Sequence, residues 1–130
     1  MNKANTLQQW HEFVKTANTD IFGDLLAEDV VFYSPVVWSP QHGKQITKMY
    51  LTGAMNVLGQ GGFRYTKEIV GHQQACLEFE TIVGDVTVNG VDIITWNENG
   101  KITEFKVMIR PIKALNAVWQ GMASLLERMK

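Results

Sequence analysis

The apolar residues of this chain change period along its length, and each change marks an element. From Leu7 they recur at helical spacing as Leu7, Trp10, Val14 and Ala17, with Phe13 widening the stripe and Gln8, Gln9, Glu12 and Lys15 opposite, which predicts an amphipathic first helix. Asn18-Thr19-Asp20 breaks it and supplies capping side chains for a short second helix, buried through Ile21, Phe22, Leu25 and Leu26 and ended by Ala27-Glu28-Asp29. Residues 30–34 are β-branched and aromatic, a short strand stopped by Pro35, because proline lacks the ladder donor and restricts the residue before it. Residues 35–43 read as an irregular loop carrying Trp38, Pro40 and His42. A third helix over about residues 44–58 aligns Ile46, Met49, Tyr50, Ala54, Val57 and Leu58, and Gly59, Gly61 and Gly62 end it.

Beyond this point the period drops to two. Residues 63–70 and 74–83 predict strands separated by Gly71-His72-Gln73. Two dipeptides compete for the next hairpin: Gly84-Asp85, suited to a type II′ turn, and Asn89-Gly90, suited to type I′. Gly84-Asp85 is preferred because it leaves long strands on both sides, and Asn89-Gly90 then becomes a bulge or kink. The chain is organised around residues 86–111, two long strands joined at Asn97-Glu98-Asn99-Gly100. In the first of these, Val88, Asp92, Ile94 and Trp96 share one parity and Val91 and Ile93 the other, so both faces need cover. In the second, Phe105, Val107 and Ile109 alternate with Glu104, Lys106 and Arg110. Pro111 opens a last helix with Leu115, Val118, Trp119, Met122, Leu125, Leu126 and Met129 on a broad apolar face. Helices segregated from a mostly antiparallel meander define an α+β fold, in which a strongly curved sheet with helices in its concave face encloses a cone-shaped cavity.

Composition narrows the picture by exclusion. At 130 residues, 45% hydrophobic and 19% charged, the chain is expected to form a single soluble domain over residues 1–130. A net charge of −1 and a pI near 6.3 give no pull toward nucleic acid or an anionic membrane. The single cysteine, Cys76, forms no internal disulfide, no Cys/His cluster has zinc spacing, and neither a metal nor another cofactor is expected. No signal-like or membrane-length apolar run is present, so a cytoplasmic location is expected.

The run VDIITWNENGKITEFKVMIRP, with the upstream helix pair, DVVFYSP, HGK and the meander, resembles the SnoaL-like and ketosteroid-isomerase-like branch of the nuclear transport factor 2 superfamily, over nearly the whole chain. The resemblance implies the cone fold and a homodimer, but no single reaction, because the superfamily holds isomerases, polyketide cyclases, epoxide hydrolases, dehydratases and non-catalytic domains. Taken residue by residue against the ketosteroid isomerase pattern, Asp92 falls on the oxyanion-hole aspartic acid, Ser34 stands where the catalytic base should be, and Trp10 falls on the tyrosine that completes the oxyanion hole. A serine cannot accept and return a carbon-bound proton without its own base, so that isomerisation should be absent or very slow. The acidic or His/Asp sets of the cyclases and hydrolases are not visible either, since the inward parity of the last strand is Phe105, Val107 and Ile109.

Asp92 therefore carries two readings. It is a pocket carboxyl group, kept protonated by burial and able to hydrogen-bond a ligand carbonyl or hydroxyl, or a structural aspartate bonded to a neighbouring tyrosine, histidine or backbone N–H, or turned outward by a bulge at Gly90. Trp10, Ser34, Trp38, His42, Tyr50, Phe79, Ile94, Trp96 and Met108 are the candidate lining of a mostly apolar pocket; core packing alone explains most of the aromatics, whereas Trp38, in a proline-bounded loop, reads as a rim residue. His11 and His72 read as solvated, Cys76 as a small buried hydrophobe, and the Glu78/Glu80 pair as a solvated or interface face. No Ser/His/Asp triad assembles. The two-sided apolar character of Val91, Ile93, Val107 and Ile109 predicts a homodimer through sheet faces. Two functions follow: a domain binding a small hydrophobic ligand, of isomerase or lyase type on a carbonyl compound, or a non-catalytic binding or dimeric assembly module with a cavity filled by side chains.

Overall fold

The computed structural model describes residues 3–128. Helix α1 spans Lys3–Thr16 and ends where Ala17, at φ 58°, bends its N–H back to the Phe13 carbonyl at 2.7 Å. The Asn18 side chain accepts the Asp20 N–H (3.1 Å) and caps a 3₁₀ turn, Thr19–Ile21, which leads into the single-turn α2, Phe22–Leu25. Strand β1 then runs Leu26–Tyr33, so Ala27-Glu28-Asp29 lies inside a strand instead of ending a helix. The cause is a distant partner: Leu26 pairs with Ile102, and the ladder shifts register before resuming at Val31.

Within the expected loop, Gln41–His42 forms a two-residue β2 on the free edge of β1. Helix α3, Lys44–Leu58, has the expected bounds, but its most buried line runs through Thr47, Leu51 and Leu58, about one residue round from the expected stripe. The meander follows as β3 (Arg64–Val70), β4 (Gln74–Val83), β5 (Val86–Trp96) and β6 (Ile102–Arg110), and α4 (Ile112–Arg128) closes the described chain. Sheet order is β2-β1-β6-β5-β4-β3, antiparallel except for the parallel β1/β6 pair, an α+β architecture.

The β4/β5 hairpin closes at Gly84-Asp85, where Val83 pairs with Val86 and Gly84 takes φ 64°. Asn89-Gly90 is not a bulge, for the pairing of β5 with β4 and with β6 runs unbroken through it. Gly90 instead makes room: a Cβ there would lie 2.5 Å from Phe79 Cζ and 2.6 Å from the Met108 carbonyl oxygen. The missing side chain lets the Phe79 ring lie across β5.

Helices α1, α3 and α4 cover one face of the sheet, burying Leu77, Phe79, Val88, Ile94, Trp96 and Phe105 against Trp10, Phe13, Leu51, Val118 and Met122. The apolar face of α4 is narrower than expected, with Ala114, Val118 and Met122 buried and Trp119 about half exposed; the Leu126 side chain and Met129 lie outside the described residues. Among the described residues no helix is long and apolar enough to cross a membrane. One break in the sheet matters for function. Strand β1 leaves β6 at the Tyr33–Lys106 pair, ahead of Pro35, while β6 continues to Arg110 without a partner on that side.

Candidate functional site

Alternation along β5 turns Val88, Gly90, Asp92, Ile94 and Trp96 toward the helices, so Asp92 enters the core by parity alone. It is 5% exposed, flanked by Leu77 on β4 and Val107 on β6. Its Oδ2 accepts a hydrogen bond from the Tyr65 hydroxyl of β3 at 2.6 Å, and that hydroxyl in turn accepts the Trp10 indole N–H at 2.8 Å. Three elements remote in sequence thus meet in one chain of hydrogen bonds.

The direction of that chain is fixed chemically. An indole N–H only donates, so the Tyr65 oxygen must accept from Trp10 and its single proton points to Asp92 Oδ2. That direction holds for the ionised carboxylate, and Oδ1 is left without a hydrogen-bond partner among the described residues. Among the described residues the Asp92 side chain makes no second hydrogen bond, and it lines a cavity. Burial pushes the Asp92 carboxyl up to about 7, against a lowering by the Tyr65 hydrogen bond; burial, then the Asp92 charge, pushes the Tyr65 phenol well above its ordinary range. Burial thus favours the acid form of Asp92, a hydrogen-bond donor in the cavity wall.

The cavity lies between Trp10, Tyr50, Met55, Phe63 and Phe105, with Asp92 in its wall. Water centres have about 40 Å³ to occupy there, room for a few water molecules. A larger hollow of about 510 Å³ adjoins it and shares Ser34, Pro35, Val107 and Ile109 as common walls. It opens where β1 and β6 separate.

Of the residues expected to line the pocket, Trp10, Ser34, Tyr50 and Asp92 meet at the inner cavity. Trp38 is 96% exposed and stands on the outer hollow, because the loop of residues 35–40 carries it away from the core. Met108 belongs to the outward parity of β6, half exposed, and also faces that hollow. His42 is exposed on edge strand β2, away from both. Phe79, Ile94 and Trp96 point inward but are packed as core and do not border the space. Ser34 accepts the Val36 N–H at 3.2 Å, a turn-forming bond. His11 is not simply solvated: its Nε2 lies 2.9 Å from Glu68 Oε1 and its ring meets Tyr65 edge-on.

Tyr65 was not foreseen as part of the site. Its only sequence signal is aromatic alternation with Phe63, whose ring stands 5.1 Å from it. The two readings of Asp92 are therefore not exclusive here, since one oxygen is bonded to a tyrosine and the residue still borders the cavity. Among the described residues no histidine and no second carboxylate lines that cavity, and no cluster of His, Cys, Asp and Glu could hold a metal ion.

The family model of the SnoaL-like domain matches residues 7–105. The crystal structure of a steroid delta-isomerase from Pseudomonas aeruginosa superposes with a TM-score of 0.94 at 30% identity, covering 99% of this chain and 94% of that one. A protein with a cystatin-like fold from Silicibacter pomeroyi DSS-3 follows at TM-score 0.84 and 32% identity, covering 92% and 83%. An NTF2-like protein of unknown function from Mesorhizobium loti shares the fold alone, at TM-score 0.73 and 17% identity over 84% and 91%. No curated protein matches the chain.

Proposed function

The chain belongs to the SnoaL-like family of the nuclear transport factor 2-like superfamily, and from that premise we propose that its cavity binds a small hydrophobic carbonyl compound whose oxygen accepts a hydrogen bond from Asp92. One observation supports this above the rest: Asp92 is buried in the cavity wall with Oδ2 engaged by Tyr65, which leaves Oδ1 without a partner and free for a ligand. A donor held in an apolar surround polarises a carbonyl more strongly than one in water, because the local dielectric is low.

The chemistry open to such a site is protonation or polarisation at oxygen. Carbon-bound proton abstraction needs a second, basic group, and Ser34 occupies that wall position with a hydroxyl already used in a turn. The steroid isomerisation named for the Pseudomonas relative is therefore not expected at a comparable rate.

The narrowness of the inner space favours a second reading, a non-catalytic module whose cavity is largely filled by side chains. A ring-sized ligand must displace water and shift Met55, Met122 or Tyr50, of which the two methionines are the most adaptable. We also propose a homodimer through the outer sheet face of β4 and β5, where Cys76, Val91 and Ile93 lie among Glu78 and Asn89.

A thermal-shift series against ketones of increasing ring number tests binding, since a ligand held only by the native state raises its melting temperature. At pH 6 at least one ketone should stabilise the protein, and Asp92→Leu, which removes the donor, should weaken that binding about tenfold or more. A series with no stabilising ketone overturns the ligand-site reading in favour of the filled-cavity module.

A further inference from the structure

We propose that the gap between β1 and β6 is the mouth of the site and that the ligand carries a flexible acidic tail, which passes through this gap to the Lys106 ammonium group. The inference rests on the ligand-site reading above and names its substrate class: an apolar carbonyl compound with a carboxylate or similar anion at its far end.

The gap follows from the strand register. Strand β1 pairs with β6 only as far as Tyr33–Lys106, and the chain then turns away at Ser34-Pro35, so residues 107–110 of β6 have a bare flank. Side chains of both parities consequently border the outer hollow, Val107 and Ile109 from the inner face and Lys106 and Met108 from the outer. Ser34, Pro35, Val107 and Ile109 wall both spaces, so the outer hollow abuts the cavity that contains Asp92. The inner space alone is too narrow for more than a small head group, whereas the outer one accommodates a chain.

Charge selects what that chain ends in. Asp92 and Lys106 are the charged residues bordering these two spaces among the described residues. Lys106 Nζ lies 4.9 Å from the centre of the Tyr33 ring and pairs with no carboxylate among the described residues. An aromatic face orients the ammonium group without neutralising it, so its charge remains for an anion at the mouth. The two ends therefore discriminate oppositely: the inner end takes a neutral oxygen and the outer end a negative one.

The test titrates two probes by calorimetry at pH 6, a methyl ketone with a flexible alkanoate tail and the methyl ester of the same compound, against the full chain in its native assembly. The acid should bind about three- to tenfold more tightly than the ester. Lys106→Gln should remove that preference while leaving the ester's affinity unchanged, Lys106→Arg should keep it, and Asp92→Leu should weaken both probes. Equal binding of acid and ester, or a preference that survives Lys106→Gln, overturns the proposed mouth and leaves the Asp92 site standing. Binding of neither probe overturns the mouth and the site together.

Discussion

Asp92 is a carboxylic acid placed where ionisation is unfavourable, and its effect on stability has a definite sign. Its folded value, about 7, lies above the ordinary 3.8, so the folded state holds a proton that the unfolded chain releases between those pH values. The associated stability is complete below about pH 4 and is lost as pH rises through 7. Asp92→Asn retains an oxygen to accept from Tyr65 and removes the charge, so it should raise stability by about 1–3 kcal/mol at pH 8 and change it little at pH 4, as read by urea denaturation at both pH values. Tyr65→Phe acts differently, since it strands the buried Trp10 N–H and withdraws the hydrogen bond that holds the Asp92 value down. It should cost about 1–3 kcal/mol at neutral pH and raise the Asp92 midpoint further. Parity along one strand made Asp92 legible in the sequence. Tyr65 was not, because its role depends on β3, β5 and α1 converging across contacts that no local pattern encodes.

At the scale of elements, local signals were read well and non-local ones poorly. The bounds of α3 and the Gly84-Asp85 hairpin follow from helical period, glycine stops and turn chemistry within a few residues. The start of β1 does not, because Leu26 is drawn into the sheet by Ile102, a distant parallel partner. Asn89-Gly90 misled for a related reason: a strong turn dipeptide serves as the seat of a ring from the neighbouring strand. Gly90→Ala should therefore destabilise by about 2 kcal/mol or more, because the contacts of the added Cβ include backbone as well as the Phe79 ring. Ala17 presents the opposite case. At φ 58° it ends α1 in the left-handed region that glycine adopts freely, so Ala17→Gly should stabilise by about 1 kcal/mol, measured by thermal denaturation.

For the whole molecule, the order of elements sufficed to identify the α+β class, and the SnoaL-like family match agrees with it. The size of the cavity was not legible, because it depends on how Trp10, Phe105 and the α3 and α4 side chains interlock. The loop carrying Trp38 and His42 was equally obscure, since nothing local tells inward from outward in a proline-bounded segment. Assembly is tested by sedimentation: the chain should run as a dimer at micromolar concentration, and Ile93→Glu, placing a charge on the outer sheet face, should convert it to monomer. The ionisation of Asp92 is itself a property of the whole fold, because sheet and helices together leave the residue only 5% exposed and its charge poorly solvated. The most direct measurement is therefore a carbon-13 NMR titration of the Asp92 side-chain carboxyl in the native protein. A midpoint near pH 7 is the predicted result, and a midpoint near 4 would contradict the buried acid on which the site depends.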